Sequence, residues 1–375
     1  MRIGIDARLW NETGVGRYIR NLVWQLQKLD KKNQFVLFVY KEFNSKELKL
    51  ENEQWKIVET DIHWHTVKEQ TTFLKILEKE KLDLVHFPYF SVSIFYKGPF
   101  VITIHDLIIN HYPTGKASTL PSPVYYLKWL GYKYVIKQAA KKACKVITVS
   151  NATKQEVVKH LGVSEEKVAV TYEGVDIKGK GHATKDKESA KNIFSQKYFL
   201  YVGNAYPHKN LERLIDVFAL LVKEFPEVKL VFVGKEDYFY QRLKQKVAEL
   251  NLEKQIIFAG FASESLLYDY YQHAVATIIP SLMEGFGLTG LEAMREGCLI
   301  LASNIPSLKE VYSDSAVYFD PLAVESMHAT IREVLQNKKK FNGFIEKGKE
   351  RLLTFSWEKM AKETIKIYES CVSLR

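Results

Sequence analysis

The 375-residue chain sets 54 lysines and arginines against 44 aspartates and glutamates, a net charge of +10 with 46% hydrophobic residues; it is too long for one core, so two domains are expected, and basic enough to favour anionic partners. Its three cysteines, far apart and odd in number, match neither a disulfide framework nor a zinc cluster and point to a reducing cytosol. With no apolar run of 18 residues, no signal segment, no zinc-finger spacing and no aromatic RNA-recognition pattern, membrane spanning, export and nucleic acid are not expected.

Ile3-Gly-Ile-Asp-Ala7 reads as a buried first strand, followed by Gly14-Val-Gly16 and a helix over 17–29 through Tyr18, Leu22, Leu26 and Leu29. Strand, glycine loop and helix form a doubly wound opening that brings backbone close to a ligand at Gly16, although a plain structural turn fits the same residues. Further strands are expected at 35–40, 55–59, 82–87 and 100–105, and their alternation with helices predicts a parallel sheet. His86 and the pair His105-Asp106 fall at carboxyl ends of strands, where such sheets hold ligands. His86 reads as a satisfied structural histidine; His105-Asp106 caps the apolar run over 101–104, where a buried polar pair needs partners.

Residues 124–145 hold six lysines and no acidic residue. Lys133, Lys137, Lys141 and Lys145 make one stripe, and Trp129, Tyr132, Ile136 and Ala140 an apolar one. This is either a surface helix with solvated lysines or a helix that lies on anionic lipid. A strand over 146–149 follows, then a helix opened by Ser150 or Asn151 as cap. Residues 177–187, rich in lysine and glycine, read as a linker.

The pattern then restarts. Strands are expected at 198–202, 229–233, 255–259, 276–280, 299–302 and 316–319, with a helix over 211–225 and a terminal helix over 359–372 in which Trp357 serves packing. Lys209, at a loop-to-helix junction, can add a cation to a phosphate site. Glu284-Gly-Phe-Gly-Leu-Thr-Gly-Leu-Glu292 places a glycine turn and a helix start between two carboxylates. Bare N–H groups and the helix dipole suit phosphate, and a helix starting near 286–288 turns Glu292 toward it. A carboxylate there fits hydroxyl binding, so the stretch describes a nucleotide sugar.

Those nine residues, with Ala293-Met294 after them, resemble the E-x7-E motif of family-4 retaining glycosyltransferases (glycosyl transferases group 1), and the resemblance runs along nearly the whole chain. It implies an α/β GT-B fold, two Rossmann-like doubly wound domains facing across a cleft, with a C-terminal helix crossing back. The boundaries would be 1–176 plus 357–375 for an acceptor domain and 177–356 for a donor domain. Glu284 would touch the donor sugar, Glu292 the ribose, and the N–H groups of Phe286, Gly287, Leu288 and Thr289 the phosphates. Gly16 and Arg17 would approach those phosphates, His105 the sugar and Asp106 the acceptor. Lys209 matches the family's diphosphate lysine, whereas Asn204 stands where an arginine is usual, so His208 or Arg17 would have to complete the positive charge. Phe261 is a candidate for stacking on the base or for the core, and Glu173 replaces a usual asparagine.

The absence of an Asp-x-Asp motif leaves the leaving diphosphate to Lys209 and the helix dipole, with no metal and no cofactor beyond the donor. The expected reaction retains configuration and moves a mannosyl- or glucosyl-type hexose from a GDP- or UDP-linked sugar. Its acceptor would be a saccharide or lipid-linked glycan of the cell envelope, at the cytoplasmic face of the membrane. A nucleotide-sugar 2-epimerase and a catalytically impaired nucleotide-sugar-binding protein are the alternatives.

Overall fold

The structure, a computed structural model, describes residues 1–41, 53–112, 122–175 and 192–373. The linker expected over 177–187 lies outside the described residues. The chain divides into two units, one of Met1–Asn110, Leu120–Gly174 and Ser356–Arg375, the other of His111–Thr119 and Val175–Phe355.

The first unit is built on a seven-stranded sheet of order β3-β2-β1-β4-β5-β6-β7. Its strands are β1 (Arg2–Asp6), β2 (Gln34–Tyr40), β3 (Trp55–Thr60), β4 (Leu84–Phe87), β5 (Phe100–Ile104), β6 (Lys145–Thr148) and β7 (Val168–Val170). All pairings are parallel, and β4 and β5 are buried along their whole length. That is why these segments read as mostly apolar runs, broken only by His86 and Thr103, rather than as alternating ones. Helix Gly14–Leu29 buries Tyr18, Ile19, Leu22, Val23 and Leu26, one helical stripe.

The expected helix over 17–29 starts three residues earlier, because Gly14 and Gly16 form its first turn rather than a loop. Gly16 is required by close packing. A Cβ there would stand 2.6 Å from the Trp10 carbonyl oxygen and 2.7 Å from that of Leu9. A second boundary also moves. The lysine-rich helix is Ser122–Lys142, so Lys145 leaves the proposed stripe, opens β6 and donates to the Glu166 carbonyl at 2.6 Å.

The terminal helix, Trp357–Ser373, belongs to this first unit, where it packs on helix Gly14–Leu29 and β4. It buries Trp357, Met360, Ala361, Thr364, Tyr368 and Cys371. Tyr368 meets His86 Nδ1 at 2.6 Å and Thr103 meets His86 Nε2 at 2.8 Å, so His86 is a satisfied core residue. Gly174 lets the helix start against the chain, since a Cβ there would lie 2.1 Å from the Trp357 nitrogen. Two of the widely spaced cysteines meet here as free thiols: a hydrogen bond with Cys371 lowers the Cys144 pKa and raises its own.

The second unit carries a six-stranded parallel sheet of order β10-β9-β8-β11-β12-β13. The strands are β8 (Tyr198–Val202), β9 (Lys229–Val233), β10 (Ile256–Gly260), β11 (Ala276–Ile279), β12 (Ile300–Ser303) and β13 (Val317–Phe319). Each coincides with an expected apolar run to within one or two residues. In both sheets the strand order reverses once, between β1 and β4 and between β8 and β11. Neighbouring connections leave on opposite faces at such a point, which opens a crevice beyond the strand ends.

Candidate active site

In the second unit the reversal brings the segments after β8 and β11 together. Asn210, left-handed at φ 61°, donates to the carbonyls of Pro280 at 3.1 Å and Pro321 at 2.8 Å. The Leu282 amide donates to the His208 carbonyl at 2.8 Å. So tethered, Lys209 Nζ lies 2.6 Å from Glu284 Oε1, and the same oxygen accepts from Ser281 Oγ at 2.6 Å. Burial alone would raise the Glu284 pKa, but the Lys209 ammonium and these two hydrogen bonds outweigh it and hold it below the usual carboxylate range.

In the ligand-free chain burial and the adjacent Lys209 bring the His208 pKa down to about 4 against the pull of Glu284, so its imidazole is neutral at neutral pH. Lys209 carries the positive charge in this loop. Asn204 is exposed, and its carbonyl accepts from Tyr201 at 2.6 Å.

The glycine turn ends at Gly287 with φ 93°, a conformation that side chains resist, and helix Leu288–Arg295 begins at once. Phe286 turns into the core against Phe355, ring edge to face at 5.5 Å. Leu288 and Thr289 occupy the first turn, partly exposed, so their amides carry the positive end of the helix. Glu292 lies one turn further in, buried, and accepts from the Tyr271 hydroxyl at 3.1 Å. Buried Tyr312 donates its hydroxyl to the Gly287 carbonyl. Its ring also explains Gly290, where a Cβ would lie 2.3 Å from Tyr312 Cζ. Phe261, beyond the left-handed Gly260, is 79% exposed and so not a core residue.

The remaining candidates lie in the first unit. Gly16 is buried and Arg17 partly exposed on the first helical turn. From that helix Tyr18 reaches His105, ring edge to face at 4.9 Å. His105 Nδ1 faces Glu173 Oε1 at 3.2 Å, and Nε2 faces the Pro88 carbonyl at 3.0 Å. Asp106 accepts from the Ile108 amide at 2.9 Å. Sequence reasoning missed Ser281, Tyr271, Tyr312 and the pairing of Glu173 with His105. Only Glu173 left a trace, as a departure from a motif.

Two doubly wound parallel-sheet units, with a terminal helix returning to the first, define the GT-B architecture. The model for Glycosyltransferase Family 4 matches residues 13–178, and that for Glycosyl transferases group 1 matches residues 184–351. The chain belongs to the group 1 glycosyltransferases. It is similar to the O-antigen chain mannosyltransferase RfbU of Salmonella typhimurium, 29% identical over 63% of this chain and 60% of that protein. The match therefore spans about three fifths of that relative's length. In fold it is similar to sucrose-phosphate synthase from Thermosynechococcus elongatus, with TM-score 0.80 and 19% identity over all of both chains. It is also similar to Anabaena HepE in complex with UDP-glucose, with TM-score 0.76 and 16% identity over 99% of this chain and 100% of that one.

Proposed function

We propose that the protein is a retaining, metal-independent glycosyltransferase that moves a mannosyl- or glucosyl-type hexose from a GDP- or UDP-linked sugar to a saccharide or lipid-linked acceptor in cell-envelope glycan synthesis. The observation that carries this reading is the convergence of Lys209, Glu284 and the start of helix Leu288–Arg295 on the strand ends of the second unit. An ammonium and a helix N-terminus suit the departing diphosphate, with charge placed before the bond breaks. Two carboxylates supply what hydroxyl groups bind: Glu284 for the sugar, Glu292 for the ribose.

Loss of the nucleotide leaves an oxocarbenium-like sugar, attacked by the acceptor hydroxyl on the face the phosphate has left. The phosphate takes the acceptor proton, and Glu284 orients the sugar rather than acting as a base. The mannosyltransferase relative and the UDP-glucose complex of a structural neighbour support this donor class.

A thermal-shift screen over GDP, UDP, ADP and their sugars tests the donor, since a ligand bound only by the native state raises its melting temperature. Glu284→Ala should lower transfer about a hundredfold, the order lost when a positioning group is removed, while still binding the nucleotide. Wild-type transfer rates in that variant would sink the assignment.

The same reading places the protein on an anionic membrane surface through residues 124–145. Along helix Ser122–Lys142 the side chains of Tyr126, Leu127, Leu130 and Tyr134 are exposed among Lys128, Lys133 and Lys137, an apolar and basic surface suited to a lipid interface. Among the described residues no helix is long and apolar enough to cross a membrane. Sedimentation with phosphatidylglycerol vesicles should carry the protein down, and Lys133→Glu with Lys137→Glu should abolish this.

A further inference from the structure

In the second unit, helix Glu264–His273 packs against helix Leu288–Arg295, and three side chains of the former make the join. Arg295 sets its guanidinium over the Tyr268 ring, 4.0 Å from the centroid, and its Nε donates to Glu296 Oε1 at 2.7 Å. Gln272 Nε2 donates to Glu296 Oε2 at 2.7 Å. The third link is the Tyr271 hydroxyl, which donates to Glu292 Oε2 at 3.1 Å. Spacings of three and four residues put 268, 271 and 272 on one helical face, and 292, 295 and 296 on another. Helix Glu264–His273 is also tied to β8, where the Tyr198 hydroxyl donates to the Tyr270 carbonyl at 2.7 Å. The contacts of Tyr268, Gln272 and Tyr198 therefore hold this helix in place without the Tyr271 hydroxyl.

Glu292 is a costly residue to keep there. It is 7% exposed, and Tyr271 is fully buried. A carboxylate taken out of water loses solvation, whereas an aliphatic side chain at this position would join the core without that cost. What Glu292 receives from Tyr271 is a neutral donor. An ammonium or guanidinium in its place would offset the charge that makes a carboxylate a strong acceptor for hydroxyl groups. A phenol fixes one oxygen and leaves the charge intact. A carboxylate accepts up to about four hydrogen bonds, so the one from Tyr271 does not fill it. The tyrosine ring is held on all sides by the core, so the direction of its O–H bond is set by the packing of its helix.

We propose that Tyr271 is a positioning residue, which holds the Glu292 carboxylate in the orientation that binds ribose hydroxyls and so sets the preference of this site for a ribonucleotide over a deoxyribonucleotide. A carboxylate free to rotate loses part of its bond to the ligand, and that loss falls only on ligands that carry the hydroxyl. The proposal rests on the glycosyltransferase reading, in which Glu292 meets the donor ribose, and adds the side chain that aims it.

Equilibrium dialysis of the full chain against UDP, GDP and their 2′- and 3′-deoxy forms tests it. The wild type should bind one ribonucleotide at least about tenfold tighter than one of its deoxy forms. Tyr271→Phe should lose about tenfold toward that ribonucleotide and nothing toward that deoxy form, so the gap closes while the retained deoxynucleotide affinity shows a folded site. Gln272→Ala cuts another link between the same helices and should keep the wild-type gap. The positioning role is overturned if Tyr271→Phe keeps the gap, if it weakens both sugars equally, or if Gln272→Ala closes the gap as well. A wild type that binds ribose and both deoxy forms alike overturns it too, yet leaves the donor reading standing. Only a wild type that binds neither UDP nor GDP sinks that reading, and the role of Tyr271 with it.

Discussion

Lys209 and Glu284 are each about one-sixth exposed, so their attraction is neither fully screened nor free of desolvation. Lys209→Met would leave the largely buried Glu284 without a countercharge, with the Ser281 hydroxyl still donating to it. It is expected to cost about 2 kcal/mol, less than the loss of a partner in a fully buried pair. Adding Glu284→Gln should recover much of this in urea unfolding, a coupling that independent sites would not show. His208 makes a pH prediction of definite sign. Above pH 6.5 its imidazole is uncharged in both folded and unfolded chains; as the pH falls to about 4 only the unfolded chain takes up the proton. Stability present at neutral pH is therefore lost across that window. Wild type should lose about 3 kcal/mol more than His208→Gln between those limits. Lys209 and Glu284 were both legible as residue types in a motif. Their direct pairing was not, because it depends on which two strand ends the sheet order sets side by side.

Among the elements, helix Leu288–Arg295 depends on a side chain from the next helix. Tyr312 lies in helix Pro306–Tyr312, holds the Gly287 carbonyl and fills the space beside Gly290. It thus sets the angle of the turn whose amides would face a diphosphate. Tyr312→Phe keeps the ring and removes that bond. It should weaken nucleoside-diphosphate binding about tenfold, the value of one hydrogen bond to a preorganised turn, and leave nucleoside binding unchanged; equal losses for both ligands in calorimetry would refute a positioning role. The strands could be read from the chain because fully buried parallel strands are mostly apolar runs, as in Phe100–Ile104 with its single Thr103. Where Gly14-Val-Gly16 reads as a loop, the helix has already begun, since propensity gives way to packing against Leu9 and Trp10. The Tyr312 contact left no sequence signal, for an isolated tyrosine carries no periodicity that points to its partner.

At the scale of the molecule, neither unit is a single continuous stretch: the chain leaves the first after Gly174 and re-enters it at Ser356. Helix Trp357–Ser373 covers β4 and supplies the hydroxyl that meets His86. Removing residues 356–375 should leave His86 without that partner and expose the apolar side of helix Gly14–Leu29. The shortened chain is expected to bind nucleotide in its second unit while its first unit loses protection from hydrogen exchange. Two parallel-sheet units were legible because the alternation of apolar runs and helices restarts at Tyr198, and their GT-B arrangement was available through the family resemblance. The return of the last helix was available only through family resemblance, since its stripe is that of any amphipathic helix. A ribosome makes this helix long after the sheet it completes. During synthesis the first unit must wait, partly uncovered, for residues more than 180 positions further on, so a nascent chain stalled before Trp357 should be a chaperone client in a way a chain carrying the helix is not.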